Sequence, residues 1–195
     1  METLKTILYW VWSCTWGCIM TLIGAIIALV LFIGGKQPLR FHYSIYFQFG
    51  SGWGGVSFGP FFFLSTTSPD STKQHEAGHS LQNLIFGPLM PFVVGIPSAV
   101  RCMIRSFSFT GKKVASGIIT ALAAAVGLVV AVLGFVYGLP VVGVLGLLLA
   151  VYAGILAVWL FKREIPQYTG GAYVDYDAVW FEGCATRWGE TAFPL

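Results

Sequence analysis

Two runs without a charged side chain, residues 6–34 and 114–161, constrain this chain more than any motif in it. The first, "TILYWVWSCTWGCIMTLIGAIIALVLFIG", is long enough to cross a hydrocarbon core of about 30 Å with some tilt. A secretory signal has a much shorter apolar core followed by a small-residue cleavage site, so the run reads as an uncleaved anchor. The second run is too long for one span and is broken at Gly138–Leu139–Pro140. It reads as two helices, about 114–137 and 140–161, joined by a tight turn. Gly117, Ala121 and Ala124 on one and Gly143, Gly146, Ala150 and Gly154 on the other would let them approach closely.

Composition agrees. The chain is 56% hydrophobic and only 10% charged, whereas soluble domains run near about a quarter charged. A buried soluble hairpin would need a protein shell that 195 residues cannot supply. The expected fold class is therefore mainly α and integral to a membrane. It would have three transmembrane helices, a short β-hairpin at the membrane surface and a polar helix carrying the chemistry described below. The expected divisions are 1–35 (anchor), 36–113 (hairpin, polar helix and apolar interfacial segment), 114–161 (helical hairpin) and 162–195 (C-terminal segment).

Charge placement suggests an orientation. Lys36 and Arg40 follow the first run, Arg101, Arg105, Lys112 and Lys113 precede the second, and Lys162 and Arg163 follow it. The positive-inside rule puts these flanks in the cytoplasm, in the inner or plasma membrane if the cell is bacterial. Lys5 counts against that orientation. A net charge of +3 with no basic, aromatic-interleaved stripe gives no reason to expect nucleic acid. Cys14, Cys18, Cys102 and Cys184 have neither disulfide nor zinc-ribbon spacing.

Between the runs the chain is patterned. "FHYSIYFQFG" alternates Phe41, Tyr43, Ile45, Phe47 and Phe49 with His42, Ser44, Tyr46 and Gln48, the period of a strand with one apolar face. "GSG" at 50–52 is turn chemistry, and "WGGVSFGPFFFL" resumes as the second strand of a hairpin. Ser68, Asp70 and Ser71 can each cap a helix, which would run from about 70 to 86 and stop at Gly87–Pro88. "PLMPFVVGIPSAVRCMI" is apolar but interrupted by prolines, so an interfacial or re-entrant course is expected. A short helix is expected from about 178 to 190.

On the expected polar helix lies "HEAGH". Residues four apart share a helix face, so His75 and His79 can hold one zinc ion. Glu76, one residue on, lies beside that metal and could take a proton from a water activated by it. Gly78 is a poor helix former that would allow another backbone to come close. Catalytic zinc keeps three protein ligands and one open position. Glu164, Asp175, Asp177, Glu182 and Glu190 are the downstream candidates for the third ligand. Glu182 stands out, because Ala185 and Gly189 on neighbouring turns would let its helix pack tightly on the histidine helix.

"HEAGH" followed far downstream by "EGCAT" resembles the H-E-x-G-H … E-x-x-A-D arrangement of membrane gluzincin peptidases, which include the CAAX prenyl endopeptidases and the bacterial heat-shock membrane proteases. The resemblance covers these two motifs and the membrane context. It implies His75, His79 and Glu182 as zinc ligands and Glu76 as general base. The family's aspartate, which orients the first histidine, falls on Thr186. A hydroxyl can accept an imidazole N–H but brings no charge, so a weaker site is implied.

The expected function is a membrane-bound zinc metallopeptidase cleaving a membrane-associated polypeptide. The alternatives are a non-catalytic membrane protein with a structural zinc site and, in last place, a channel or transporter component, since the spans carry no ionisable residue. His42 reads as a surface residue, Asp175 and Asp177 as a solvated turn, and Arg187 as the partner of Glu190. The strand before the polar helix offers an edge to which an extended peptide could add.

Overall fold

The first charge-free run is not one rod. In the computed structural model, which describes residues 2–195, it forms helices α1 (Glu2–Thr15) and α2 (Cys18–Ile33), bent by 100° at Trp16–Gly17. At a rise of about 1.5 Å per residue they span roughly 21 and 24 Å, each short of a core of about 30 Å. The run expected as an anchor is thus two helices with a sharp bend, a broken span or a re-entrant pair by length and composition. The bend has a structural cause in the helix the elbow rests on, α3 (Asp70–Phe86). A Cβ at Gly17 would overlap the Asn83 side chain. The indoles of Trp12 and Trp16 donate to the carbonyls of Leu84 and Ile85 at 2.9 and 3.2 Å. Those carbonyls belong to the last turn of α3, which has no partners of its own within the helix. The elbow thus caps α3.

The sheet also differs from the expected single hairpin. Strands β1 (Leu39–Phe41), β2 (Ser44–Gln48), β3 (Gly55–Phe58) and β4 (Phe61–Leu64) are ordered β1-β2-β4-β3. There are two tight hairpins, turning at His42–Tyr43 and Gly59–Pro60, and β2 runs parallel to β4 with Ile45 opposite Phe61. His42 (φ 49°) and Gly59 (φ 63°) take the left-handed conformations these turns need. "GSG" lies in a crossover loop held by Ser65, whose Oγ accepts from Gly52 N at 2.9 Å. The period of two survives, but both faces are covered. Tyr46, Phe62 and Leu64 pack with Ala77 of α3, while Phe47 and Phe63 pack with Ala28 of α2. Tyr46, placed on the polar face by alternation alone, is buried and stacked on Phe62 at 5.1 Å. An inner strand covered from both sides has no solvent face.

The boundaries of α3 match expectation, but its cap does not. Pro69 occupies the cap position without a side-chain bond, Ser68 donates to Gly54 O at 2.7 Å, and Asp70 pairs with Lys73 at 2.6 Å. Beyond Gly87 (φ 50°) come a 3-10 turn (Gly87–Leu89), a π turn (Pro91–Gly95) and helix α4 (Ile96–Arg105). The prolines deny a regular helix the N–H groups it needs.

The chain divides into two compact units, 1–96 with 175–195 and 97–174. Within the second unit, α5 (Phe109–Val136) and α6 (Pro140–Trp159) form an antiparallel hairpin turning at Gly138 (φ 68°). Their backbones touch where side chains are missing: a Cβ at Gly127 would lie 2.6 Å from Ala150 N, and one at Gly146 would overlap the Ala131 backbone. Gly117 and Gly154, expected in this seam, lie outside it. Val100 and Ile104 of α4 pack with Leu156, Leu160 and Ile165. Below them Arg101 Nε and Glu164 Oε1 form a fully buried pair at 2.7 Å, and Tyr168 donates to the same carboxylate at 3.0 Å.

Two helices, Phe109–Val136 and the one beginning at Pro140, are long and apolar enough to cross a membrane. The number rises to as many as four if α1–α2, and α3 with the segment through Arg105, each count as one broken span.

The seam yields a paired test. Gly146→Ala should lower the thermal unfolding midpoint in detergent by several degrees, since overpacking costs about 1–3 kcal/mol. Gly154→Ala, with nothing within 4 Å of its Cβ, should leave the midpoint unchanged or raise it through helix propensity.

Candidate metal centre

Helix α3 is sorted into stripes. His75, His79 and Gln82 lie along one side, and Glu76, Ser80 and Asn83 along the adjoining one, each set at the helical spacing. The first stripe faces helix α7 (Trp180–Ala192), which starts two residues later than expected. The two helices meet backbone to backbone. A Cβ at Gly78 would overlap the carbonyl oxygen of Ala185, and one at Gly189 that of Gln74. Only this closeness lets a glutamate one turn into α7 reach histidines on α3.

It does reach them. His75 Nε2 and His79 Nε2 are 3.1 Å apart, and Glu182 Oε2 lies 3.3 and 3.0 Å from them. His75, His79 and Glu182 therefore form a group that could hold a metal ion. Glu182 is fully buried and His75, at 14% side-chain exposure, is the most open of the three.

The donor atoms fit a cation on two independent grounds. Bonds of about 2.0–2.1 Å in a tetrahedron put the ligand atoms roughly 3.3 Å apart, close to the separations found. The tautomers agree as well. Gln82 Nε2 donates to Phe181 O at 2.6 Å, which turns its Oε1 toward His79 Nδ1 at 2.8 Å. His79 must then carry its proton on Nδ1 and present a lone pair at Nε2. His75 Nδ1 is 2.8 Å from Thr186 Oγ1, which leaves its Nε2 aimed the same way. Two imidazole lone pairs and a carboxylate oxygen at contact distance repel one another unless a positive charge sits among them. The carboxylates around His79 favour positive charge at this point: burial pulls its pKa down, but Glu182 and the nearby Glu76 outweigh it and the net shift is upward, so a proton competes with a metal ion there.

Glu76 is buried beside this group. Burial pushes its carboxyl up, against the opposing pull of His79 and His75. Its Oε2 has no hydrogen-bond partner among the described residues. Its Oε1 faces Gly55 of β3, where a Cβ would come within 2.6 Å of it.

Thr186 thus takes the position that the resemblance gives an aspartate. Sequence reasoning missed Gln82 and Gly55. Gln82 was detectable in principle, three residues after His79 and seven after His75 on the same stripe. Gly55 was not, since its contact with Glu76 exists only once β3 lies across α3.

The remaining candidates go elsewhere. Glu164 belongs to the buried pair with Arg101. Asp175 caps the 3-10 turn Tyr176–Ala178, its Oδ1 accepting from Asp177 N at 3.3 Å. Glu190 is exposed. The expected Arg187–Glu190 pair does not form among the described residues; Arg187 donates to Cys184 Sγ at 3.3 Å instead. His42 is exposed at the β1–β2 turn, its Nε2 3.3 Å from Pro194 O, away from the cluster.

Comparison with protein-family models, with curated proteins and with solved structures finds no match.

Metal binding tests the tautomer argument. Gln82→Leu and Thr186→Val should each weaken the affinity about 10–100-fold, the usual effect of losing an orienting partner. Thr186→Asp should strengthen it, because an anionic acceptor raises the basicity of His75. Competition against a chromophoric chelator, with the purified chain in detergent, reads all three.

Proposed function

We propose that this chain is a membrane-bound zinc metallopeptidase acting on an extended, membrane-associated polypeptide. The observation that supports it best is the pairing of a three-residue group able to hold a metal with a buried carboxylate, Glu76, whose Oε2 has no hydrogen-bond partner among the described residues. Structural zinc sites are closed by four protein ligands, whereas catalytic ones keep three and an open position. Two imidazoles and one carboxylate suit zinc among the common divalent ions. The likeness of the Glu76 and Glu182 motifs to membrane gluzincins adds to the reading.

Bound at these atoms, zinc would supply a Lewis acid that polarises a carbonyl and makes water acidic near neutral pH. His75, His79 and Glu182 hold it in a fixed position, with Thr186 and Gln82 orienting the imidazoles. Glu76 is the general base: its buried carboxylate accepts a proton from the attacking water at Oε2 and passes it to the leaving amine. A pKa raised by burial serves both steps, since the group must take and then release a proton near neutral pH.

Substrate placement follows from the sheet. β3 is an edge strand, and its Gly55 lies directly against Glu76. A peptide adding to that edge as a fifth strand would be held by main-chain hydrogen bonds and carried past the carboxylate. The absence of a side chain at Gly55 keeps room between the strand and the base.

In this reading α5 and α6 cross the bilayer, and the α1–α2 elbow is a broken third membrane segment. The basic flanks support a cytoplasmic side for the site in this reading.

The purified protein should contain about one zinc per chain by elemental analysis, with loss of metal in His75→Ala and Glu182→Ala. It should cleave casein or a lipid-embedded peptide, and Glu76→Gln should reduce that rate at least about 100-fold while keeping the metal. Metal without any Glu76-dependent cleavage would instead identify a non-catalytic protein with a structural site.

A further inference from the structure

Charge in the second unit is lopsided. Residues 97–174 contain Arg101, Arg105, Lys112, Lys113, Lys162 and Arg163 but a single acid, Glu164. That acid is buried against Arg101. All six bases flank the α5–α6 hairpin at its open end, and the turn at Gly138 carries none. The open end also holds a cavity of about 350 Å³, lined among others by Arg105, Ser108, Lys112, Tyr168, Ala172 and Tyr173.

The walls of this cavity are built. Lys112 is buried, and its ammonium donates to the carbonyls of Ile104, Arg105 and Phe107 at 3.0, 2.6 and 2.6 Å while resting 4.5 Å from the centre of the Tyr168 ring. It contributes a fixed positive charge whose N–H groups are already committed to the chain. Arg105 is held from two sides, donating to Val174 O at 3.2 Å and lying over the Tyr173 ring at 5.9 Å. Its guanidinium has five N–H donors in a planar fork, the geometry that suits phosphate oxygens. Two fixed cations, no carboxylate among the lining residues and a volume of a few hundred Å³ make a receptor for a compact anion.

The position of the cavity narrows the choice. Exposed apolar residues cover the outward sides of α5 and α6, among them Val114, Ile118, Leu122, Ile155 and Val158. With those sides in lipid, the open end lies at headgroup depth, where basic clusters meet anionic phospholipids. We infer that this pocket seats the phosphate of an anionic phospholipid headgroup, with Arg105 as its direct ligand and Lys112 as its fixed countercharge. The inference rests on the membrane placement made above and not on the peptidase chemistry.

The full-length chain in mild detergent would be titrated with phosphatidylglycerol, with phosphatidylcholine and with inorganic phosphate, and bound lipid counted by native mass spectrometry. Phosphatidylglycerol should be retained over phosphatidylcholine. Arg105→Gln should weaken that retention about tenfold, as loss of a charge-assisted contact does, and Arg105→Lys should recover part of it. Arg163→Gln, which removes an equal charge outside the pocket, should change retention less than about twofold, as expected for a distant surface charge. Ala172→Trp keeps the charge but fills the cavity and should also abolish retention, so the result does not depend on Arg105→Gln folding well. Equal loss in Arg105→Gln and Arg163→Gln, or equal retention of both lipids, would overturn the pocket in favour of diffuse attraction. Saturable binding of inorganic phosphate without lipid retention would overturn the lipid as its source. A chain released from membranes by alkaline carbonate would overturn the membrane placement and this inference with it, while leaving the metal centre to its own tests.

Discussion

The cluster of His75, His79 and Glu182 depends on one contact, the backbone-to-backbone approach of α3 and α7. Gly78 lies under the Ala185 carbonyl and Gly189 under that of Gln74, so two helices distant in sequence approach with no side chain between them. Everything else at the site follows from that spacing. Glu182 Oε2 comes to 3.0 Å from His79 Nε2, Thr186 reaches His75, and the Phe181 carbonyl fixes the amide of Gln82. A helix pair at ordinary separation of 8–10 Å, with side chains interposed, would leave all three contacts out of reach.

Burial then sets the electrostatics. Glu164 and Glu182 are fully buried; the first faces Arg101 and Tyr168, while the second has the ring nitrogens of His75 and His79 at 3.3 and 3.0 Å, a grouping in which a cation would offset its charge. A buried carboxylate without such company would be costly enough to protonate or to unfold its surroundings. Glu76 is the exception. It is buried, its carboxyl is pushed up, and one oxygen is unpartnered. A group kept under those terms beside a metal-ligand cluster is where a chemical role is to be sought.

The elements most legible in the sequence were those whose signal is local. The α5–α6 hairpin could be read from its lack of charge and the Gly138–Pro140 break, α3 from its polar capping candidates and stop at Gly87–Pro88, and the two-histidine stripe from the spacing of His75 and His79. Glu182 could be singled out because small residues beside it announced close packing. Features set by neighbours were misread. Tyr46 looked solvent-facing until α3 covered that side of β2. The α1–α2 run looked straight because the Trp12, Trp16 and Asn83 contacts that bend it come from residues some seventy positions away. Gly127 and Gly134 carry the hairpin seam in place of Gly117 and Gly154, since helix rotation is chosen by the pair and not by either helix alone.

The sequence by itself determined which helices are apolar enough to cross a membrane, the polar helix with its two histidines, and the handful of acids from which Glu182 joins them, because hydrophobicity and i,i+4 spacing are properties of neighbouring residues. Tertiary structure alone decided that Gln82 sets the tautomer of His79, that Glu76 is buried and lies against Gly55 of β3, and that Arg105 and Lys112 line one cavity. These are distances between segments far apart in the chain, fixed by packing at glycine contacts that leave no mark on local pattern.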